Sequence, residues 1–405
     1  MQAQFQPAIV NFAKNSCITV EGKANADRFY IIQKGRVRII RETDTLTEQH
    51  NDVAGPGDIF GVVSVMASCS YIETVLALTD VTLLAIEKRQ YGDLIKTNTP
   101  VAMNIIQQFS RRLRSLDDVL SRRALSGAGI NAPSHLFQVA EYYVRQEKYG
   151  MAFYAYRQYL NYCSPEDSGW ITEKIQKITP YVKDSRPEYP ADQAERNYPE
   201  NCLVFAEGEY GDELYIITKG TVKITKIQDN QEMVLAVLKK GDIFGEMALL
   251  EDKPRAASVE TCEDCTLMTV NRSNFESLIS RQPEMVARLT TMMAERIWII
   301  YKQLVNTLIE NPLGRIYDAL LIQLEKERVV FSNNQSHLCS FGFKELAGMV
   351  GLPYKESEPH FRRILASKRI SLMEGKILIS DVSEVLRQTM FYRKTQKIGL
   401  TVKEK

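Results

Sequence analysis

Residues 19–95 recur as residues 205–279, and this internal repeat constrains the fold more than any other feature of the chain. TVEGKANADRFYIIQKGRVRII matches VFAEGEYGDELYIITKGTVKIT, and GPGDIFGVVSVMASCSYIETV matches KKGDIFGEMALLEDKPRAASV. Gly22, Gly35, Gly57 and Gly61 fall on Gly208, Gly220, Gly241 and Gly245. These are turn positions, where glycine supplies positive φ or close approach. Between them the apolar residues alternate, as in Tyr30-Ile31-Ile32 and Arg36-Val37-Arg38-Ile39. Many short strands divided by glycine turns predict a jelly-roll barrel, here in two copies.

At 405 residues the chain is too long for one core, and two to four domains are expected. From Asn311 onward there are 16 Lys and Arg against 10 Asp and Glu, a net of +6 on a chain whose total is +1. A basic C-terminal module permits nucleic-acid contact. No apolar run approaches the ~20 residues of a membrane span, and MQAQFQPAIV lacks the basic start and apolar core of a signal peptide. The seven scattered Cys suit a reducing, cytoplasmic location. Cys262 and Cys265 form a lone C-x-x-C, read as strand residues flanking a turn. With four His in the chain, no constellation suggests catalysis or a metal site, so neither enzyme nor metalloprotein is expected.

The stretch 242–260, DIFGEMALLEDKPRAASVE, carries the chemistry. A helix N-terminus offers free N–H groups and a positive dipole end to a phosphate, and Arg255 can fork onto two of its oxygens. Glu246 cannot also hold a phosphate, but a carboxylate there can accept from a sugar hydroxyl. FGEMALLEDKPRAASV resembles the phosphate-binding cassette of the cyclic-nucleotide-binding domain. That domain is shared by Crp/Fnr regulators, regulatory subunits of cAMP-dependent kinase and gated channels. The resemblance implies that Glu246 takes the ribose 2′-hydroxyl and Arg255 the cyclic phosphate. The N–H groups of Gly245, Met247, Ala248, Ala256 and Ala257 would complete the cradle. Thr or Ser after the arginine tends to favour cGMP in similar domains, so Ala256 implies cAMP. The bland alternative is a surface Glu–Arg ion pair with no ligand.

In the first copy the glutamate position is Val62, the arginine position Tyr71, and Glu73 stands where a small residue is expected. An unpaired carboxylate near a phosphate is costly, so this copy is expected not to bind cAMP. It is left with another ligand, or with dimerisation and packing.

Residues 100–125 carry apolar residues at helix spacing, with two basic runs, 111–115 and 122–126, read as solvated faces. Ser126-Gly127-Ala128-Gly129 reads as a break. Pro133 to Pro165 resembles a tetratricopeptide (TPR-like) hairpin with a corner at Lys148-Tyr149-Gly150, and 166–179 is expected to cap it. One such repeat cannot bury its own face, so it packs on a barrel as a spacer or forms a partner groove. Residues 180–199, with four prolines, read as an extended linker. From Met285 to Leu308, Leu289, Met293, Ile297, Ile300, Leu304 and Leu308 recur at alternating spacings of four and three, close to a coiled-coil seam. In Crp-type proteins this helix makes the homodimer and closes over the base, which puts Ile300 and Tyr301, with Trp298 nearby, at the base.

From Asn311 the resemblance to Crp/Fnr continues. FGFKELAGMVGLPYKESEPHFRRI resembles a helix-turn-helix with Gly351 at its turn, and SLMEGKILISD a wing hairpin turning at Glu374-Gly375. Pro359 breaks the reading helix unless the helix starts late, with Ser357 as N-cap. Lys344, Lys355, His360, Arg362, Arg363 and Lys376 are the candidates to face double-stranded DNA.

The expected fold class is α+β multidomain: two jelly-roll β-barrels with flanking helices, a small helical TPR-like insert and a C-terminal winged helix-turn-helix. The expected divisions are 1–125, 126–182, a linker 183–200, 201–310 and 311–405. The resemblance implies a cAMP-responsive, DNA-binding transcription regulator in which only the second barrel senses nucleotide. The alternative is a nucleotide-gated protein-interaction switch that reads no DNA. A kinase regulatory subunit rests only on the tandem barrels and the basic runs.

Overall fold

Alternating apolar residues and glycine corners make each copy of the repeat eight short strands in two antiparallel sheets. The computed structural model describes residues 6–24, 26–45, 52–124, 134–182, 186–190, 192–228, 230–247, 253–271, 274–275, 283–350, 352 and 354–403. The first copy holds β1 (Ala8–Phe12), β2 (Cys17–Thr19), β3 (Arg28–Lys34), β4 (Val37–Ile40), β5 (Asp52–Ala54), β6 (Ile59–Phe60), β7 (Thr74–Ala77) and β8 (Val81–Glu87). The second holds β9 (Glu195–Tyr198), β10 (Leu203–Phe205), β11 (Glu213–Lys219), β12 (Thr221–Gln228), β13 (Gln231–Lys239), β14 (Ile243–Phe244), β15 (Ser258–Thr261) and β16 (Cys265–Asn271). The sheets run β1-β8-β3-β6 and β2-β7-β4-β5 in one copy, and β9-β16-β11-β14 and β10-β15-β12-β13 in the other, the same order strand for strand.

The cores recur as well. Ile32, Val37, Phe60, Val75 and Leu83 are buried in the first copy, and Ile217, Val222, Phe244, Val259 and Leu267 at the matching positions of the second. Each such side chain contributes about 1.5–3 kcal/mol. Tyr30 stacks on Phe60 at 5.2 Å and Tyr215 on Phe244 at 5.3 Å. Gly35 and Gly220 hold φ +91° and +87°, and a Cβ would fall 2.3 Å from Asp80 O and 2.6 Å from Cys265 Sγ, so both turns need glycine.

The helices are α1 (Val62–Ala67), α2 (Tyr91–Thr97), α3 (Thr99–Ala124), α4 (Ser134–Arg145), α5 (Tyr149–Leu160), α6 (Pro165–Ile178), α7 (Pro283–Thr307), α8 (Pro312–Lys326), α9 (Phe343–Met349), α10 (Tyr354–Ala366) and α11 (Val382–Lys403). A small sheet, β17 (His337–Leu338), β18 (Ile370–Met373) and β19 (Lys376–Ile379), in order β17-β19-β18, accompanies the last four. The chain divides into two compact units: Met1–Tyr91 with Ser115–Ser126 and Thr290–Lys405, and Gly92–Arg114 with Gly127–Leu289. Among the described residues no helix is long and apolar enough to cross a membrane, and no group of three His, Cys, Asp or Glu is placed to hold a metal.

In the first unit, the hydroxyl of Tyr301 on α7 donates to Glu21 and accepts from the Glu42 N–H at 3.1 Å. Burial lifts the Glu21 carboxyl from 4.5 to about 7; the Tyr301 hydroxyl opposes this, Glu42 adds repulsion and Lys302 attraction. An acid whose folded value is raised is favoured in its protonated form. Its stabilisation is complete below pH 4.5 and is lost as pH rises through 7, on the order of 3 kcal/mol. Urea unfolding of the parent at pH 5 and pH 8 is expected to show this loss, and Glu21→Gln to remove most of it.

In the C-terminal part of this unit, Asn311 caps α8 by accepting from Leu313 N and Gly314 N. Phe343 of α9 stacks on Phe361 of α10 at 4.4 Å, and Asp318, fully buried, takes Arg393 at 2.6 Å and Asn306 Nδ2 at 2.9 Å. The hairpin turn falls at Glu374-Gly375, both at positive φ, with Met373 paired to Lys376.

In the second unit, α4, α5 and α6 share one core with the barrel: Leu136, Val139, Ala140, Tyr143, Ala152 and Tyr156 pack with Leu203, Ala206 and Ile227. The barrel thus covers the face that the helices cannot bury among themselves.

Four expectations are corrected. The segment read as a linker to residue 200 ends in β9, which pairs with β16 along Tyr198–Cys265 to Glu195–Met268. Arg112 and Arg114, in the first basic run, are half-buried, not solvated. The α7 stripe read as a homodimer seam is buried within the single chain: Leu289, Met293, Ile297, Ile300 and Leu304 are at most 6% exposed. Finally, α10 starts at Tyr354 without a delay, so Ser357 is buried inside it and Pro359 lies in its interior. Proline there leaves one carbonyl without its helical N–H, while burial of Phe361 and Ile364 anchors the helix. Gly351, Ala248 and the 126–129 break lie outside the described residues.

Candidate functional site

The site forms where β14 runs into Gly245. This residue holds φ +81°, and a Cβ on it would meet Arg255 Nη1 at 2.8 Å and Glu213 O at 3.2 Å. Glu246 and Met247 then open a helical turn, both buried. The chain returns through Pro254, Arg255, Ala256 and Ala257 into β15.

Arg255 is 5% exposed. Its Nη1 donates to Gly245 O at 2.7 Å, and its guanidinium lies 4.2 Å from the Phe205 ring centroid and 5.8 Å from that of Tyr215. A Cβ on Gly211 would come within 2.7 Å of Nη2, so the head group sits between two glycines. Its Nε has no hydrogen-bond partner, and among the described residues it makes no ion pair. A buried cation without a counter-charge carries an effective penalty of several kcal/mol. Such a guanidinium is a candidate to take an anion. Glu246, 6% exposed at the start of the turn, supplies the carboxylate beside it. The structure thus brings together Gly245, Glu246, Met247, Arg255, Ala256 and Ala257.

The first barrel shows what the same cradle becomes when its residues change. All of α1, from Val62 to Ala67, is buried. Tyr71 stands in the arginine position and donates to Arg28 O at 2.7 Å. The Glu73 carboxylate, 4% exposed, accepts the N–H of Gly61, the counterpart of Gly245, at 2.6 Å and pairs with Arg41 at 3.2 Å. The carboxylate expected to stand unpaired is therefore satisfied. It occupies the amide that corresponds to Gly245 N–H in the second copy.

Ile300, Tyr301 and Trp298 are buried, and the Tyr301 hydroxyl is engaged by Glu21 and Glu42 of the first barrel. Two helices reach this stretch: Arg114 Nη1 of α3 donates to Pro254 O at 3.3 Å, and Arg288 of α7 pairs with Asp242 at 3.5 Å. Sequence reasoning saw Arg114 only as part of a basic run. Lys344, Lys355, Arg362, Arg363 and Lys376 are exposed and His360 is partly so; Arg362 pairs with Glu358 at 2.7 Å.

The family described as Cyclic nucleotide-binding domain matches residues 9–98 and 195–282, one stretch in each copy of the repeat. A CRP-like cAMP-activated global transcriptional regulator of Mycobacterium tuberculosis is 28% identical over 194 residues, 47% of this chain and 86% of that protein. The cAMP-activated global transcriptional regulator CRP of Salmonella typhimurium is 27% identical over 184 residues, 45% of this chain and 87% of that protein. A solved Thermus thermophilus catabolite activator protein, 26% identical, covers 49% of this chain and 90% of its own, with a TM-score of 0.28.

Proposed function

We propose that the chain is a cAMP-responsive transcription regulator of Crp/Fnr type in which only the second barrel binds nucleotide. The observation that carries this is the buried Arg255 guanidinium, which has no counter-ion among the described residues, set beside the buried Glu246. In the first barrel, Glu73 and Tyr71 fill the equivalent space. The ribose hydroxyl is read as the ligand of Glu246 and the cyclic phosphate as that of Arg255, with Ala256 leaving cAMP preferred over cGMP. The C-terminal pair α9 and α10 with the β18–β19 hairpin is read as a winged helix-turn-helix. Its exposed Lys344, Lys355, Arg363 and Lys376 face phosphates, with His360 and Arg362 beside them. Phosphate contacts of this kind give salt-dependent affinity, and base contacts give specificity. Because the α7 stripe is buried within the chain, a homodimer would have to form on another surface.

Calorimetric titration with cAMP, with cGMP as competitor, is expected to give one site per chain with cAMP preferred. Two sites would sink the assignment of the first barrel, and none would sink the nucleotide reading. A gel shift with and without cAMP, at two salt concentrations, is expected to show cAMP-dependent retardation of duplex DNA that weakens with salt. The second reading, a nucleotide-gated protein-interaction switch, is favoured by Pro359 inside α10 and by neutralisation of Arg362 through Glu358. It predicts no retardation of any duplex.

A further inference from the structure

The helical insert touches the barrel with more than apolar side chains. Lys148, just before α5, pairs with Glu260 of β15 at 2.7 Å, and His135 Nε2 of α4 lies 3.0 Å from Glu207. Tyr154 of α5 donates to Glu209, with both carboxylate oxygens at 2.8 Å. Arg186 covers the Tyr154 ring at 4.7 Å and donates to Val204 O at 3.0 Å. Thus Glu260 and Glu209 of the barrel are each held by a side chain of the insert, and Glu207 lies close to a third.

Glu209 matters most, because its turn is bonded to the cassette. Arg255 N donates to Glu209 O at 2.7 Å, and Gly208 N donates to Arg255 O at 2.9 Å. Two residues on, Gly211 forms one wall of the guanidinium pocket. The Glu209 side chain folds back onto its own turn, accepting from Ala206 N at 2.9 Å. Burial raises its carboxyl, while Ala206, Tyr154, Arg186 and Arg255 pull it down, so it lies within the electrostatic reach of Arg255. Yet Arg255 makes no ion pair among the described residues. The nearby carboxylate is bonded by Tyr154 and Ala206 instead.

We propose that Tyr154 is a positioning residue of the nucleotide site: it withholds Glu209 from Arg255 and so keeps the guanidinium open for the phosphate. On this account the insert is a working part of the sensor, not a spacer. A released Glu209 would compete with the phosphate for the same charge. The inference rests on the reading of Arg255 as the phosphate ligand.

The test uses the full chain and cAMP, with affinities from calorimetry. Tyr154→Phe removes one oxygen and is expected to weaken cAMP about tenfold, as for losing a hydrogen bond to a charged group. Glu209→Gln, which cannot neutralise Arg255, is expected to bind at least as tightly as the parent. The double variant is expected to recover the affinity of Glu209→Gln, a rescue that a packing role for Tyr154 does not give. Parent-like binding by Tyr154→Phe overturns the inference alone, as does a double variant as weak as Tyr154→Phe. A parent that takes up no cAMP overturns it together with the nucleotide reading. Should Tyr154→Phe fail to fold, Glu209→Gln decides: a tenfold loss there would rule out competition.

Discussion

Arg255→Ala is expected to bind cAMP more weakly by about 2–5 kcal/mol, roughly thirty- to several-thousand-fold, because on the proposed reading the phosphate loses a buried cationic partner. The size of the effect follows from the setting. The guanidinium is 5% exposed, stacked on Phe205 and walled by Gly211 and Gly245, so water cannot replace it well as a partner for the anion. Arg255→Lys should recover part of the loss at most, since an ammonium keeps the charge but not the fork. Removing Arg255 also removes its hydrogen bond to Gly245 O and its stacking on Phe205, so a loss of stability is expected beside the loss of affinity. Calorimetry and urea unfolding of the same samples separate the two effects. Unchanged cAMP affinity would place the phosphate elsewhere.

Glu73→Ala is the counterpart experiment in the first barrel. It leaves Arg41, whose side chain is 16% exposed, without this carboxylate, and Gly61 N–H without its acceptor. Breaking a buried pair by removing one partner costs about 3–5 kcal/mol. The variant is expected to unfold at markedly lower urea, with the change confined to the transition of the unit that contains the first barrel. Nucleotide stoichiometry should remain one per chain, because Val62 and Tyr71 still stand where Glu and Arg are needed. A second cAMP site in this variant would show that Glu73 alone closes the cradle. Unaltered stability would show that the Glu73–Arg41 pair contributes nothing net.

The parts of this molecule that could be read beforehand are those whose partners lie close in sequence or recur at a fixed offset. Gly245 and Arg255, ten positions apart in the 245–257 stretch, come together by a hydrogen bond. The barrels were legible because Gly35 and Gly220, or Val37 and Val222, appear twice in the same pattern. Other features depend on long-range neighbours. Periodicity marked Ile297 and Leu304 as buried, but an apolar stripe carries no label for what covers it. Tyr154 and Glu209 are separated by 55 positions, and nothing local to either announces their hydrogen bond. Pro359 misled for the opposite reason. Its local penalty was real, but the burial of Phe361 and Ile364 one turn later outweighed it.

The Glu73 carboxylate lodged against Gly61 also bears on the shape of a dose–response curve. A duplicated sensor with both cradles open could couple two binding events within one polypeptide. On the proposed reading, with one cradle filled by its own side chain, each chain would register a single molecule of ligand. Within one chain saturation would then be hyperbolic, and graded output would replace a threshold.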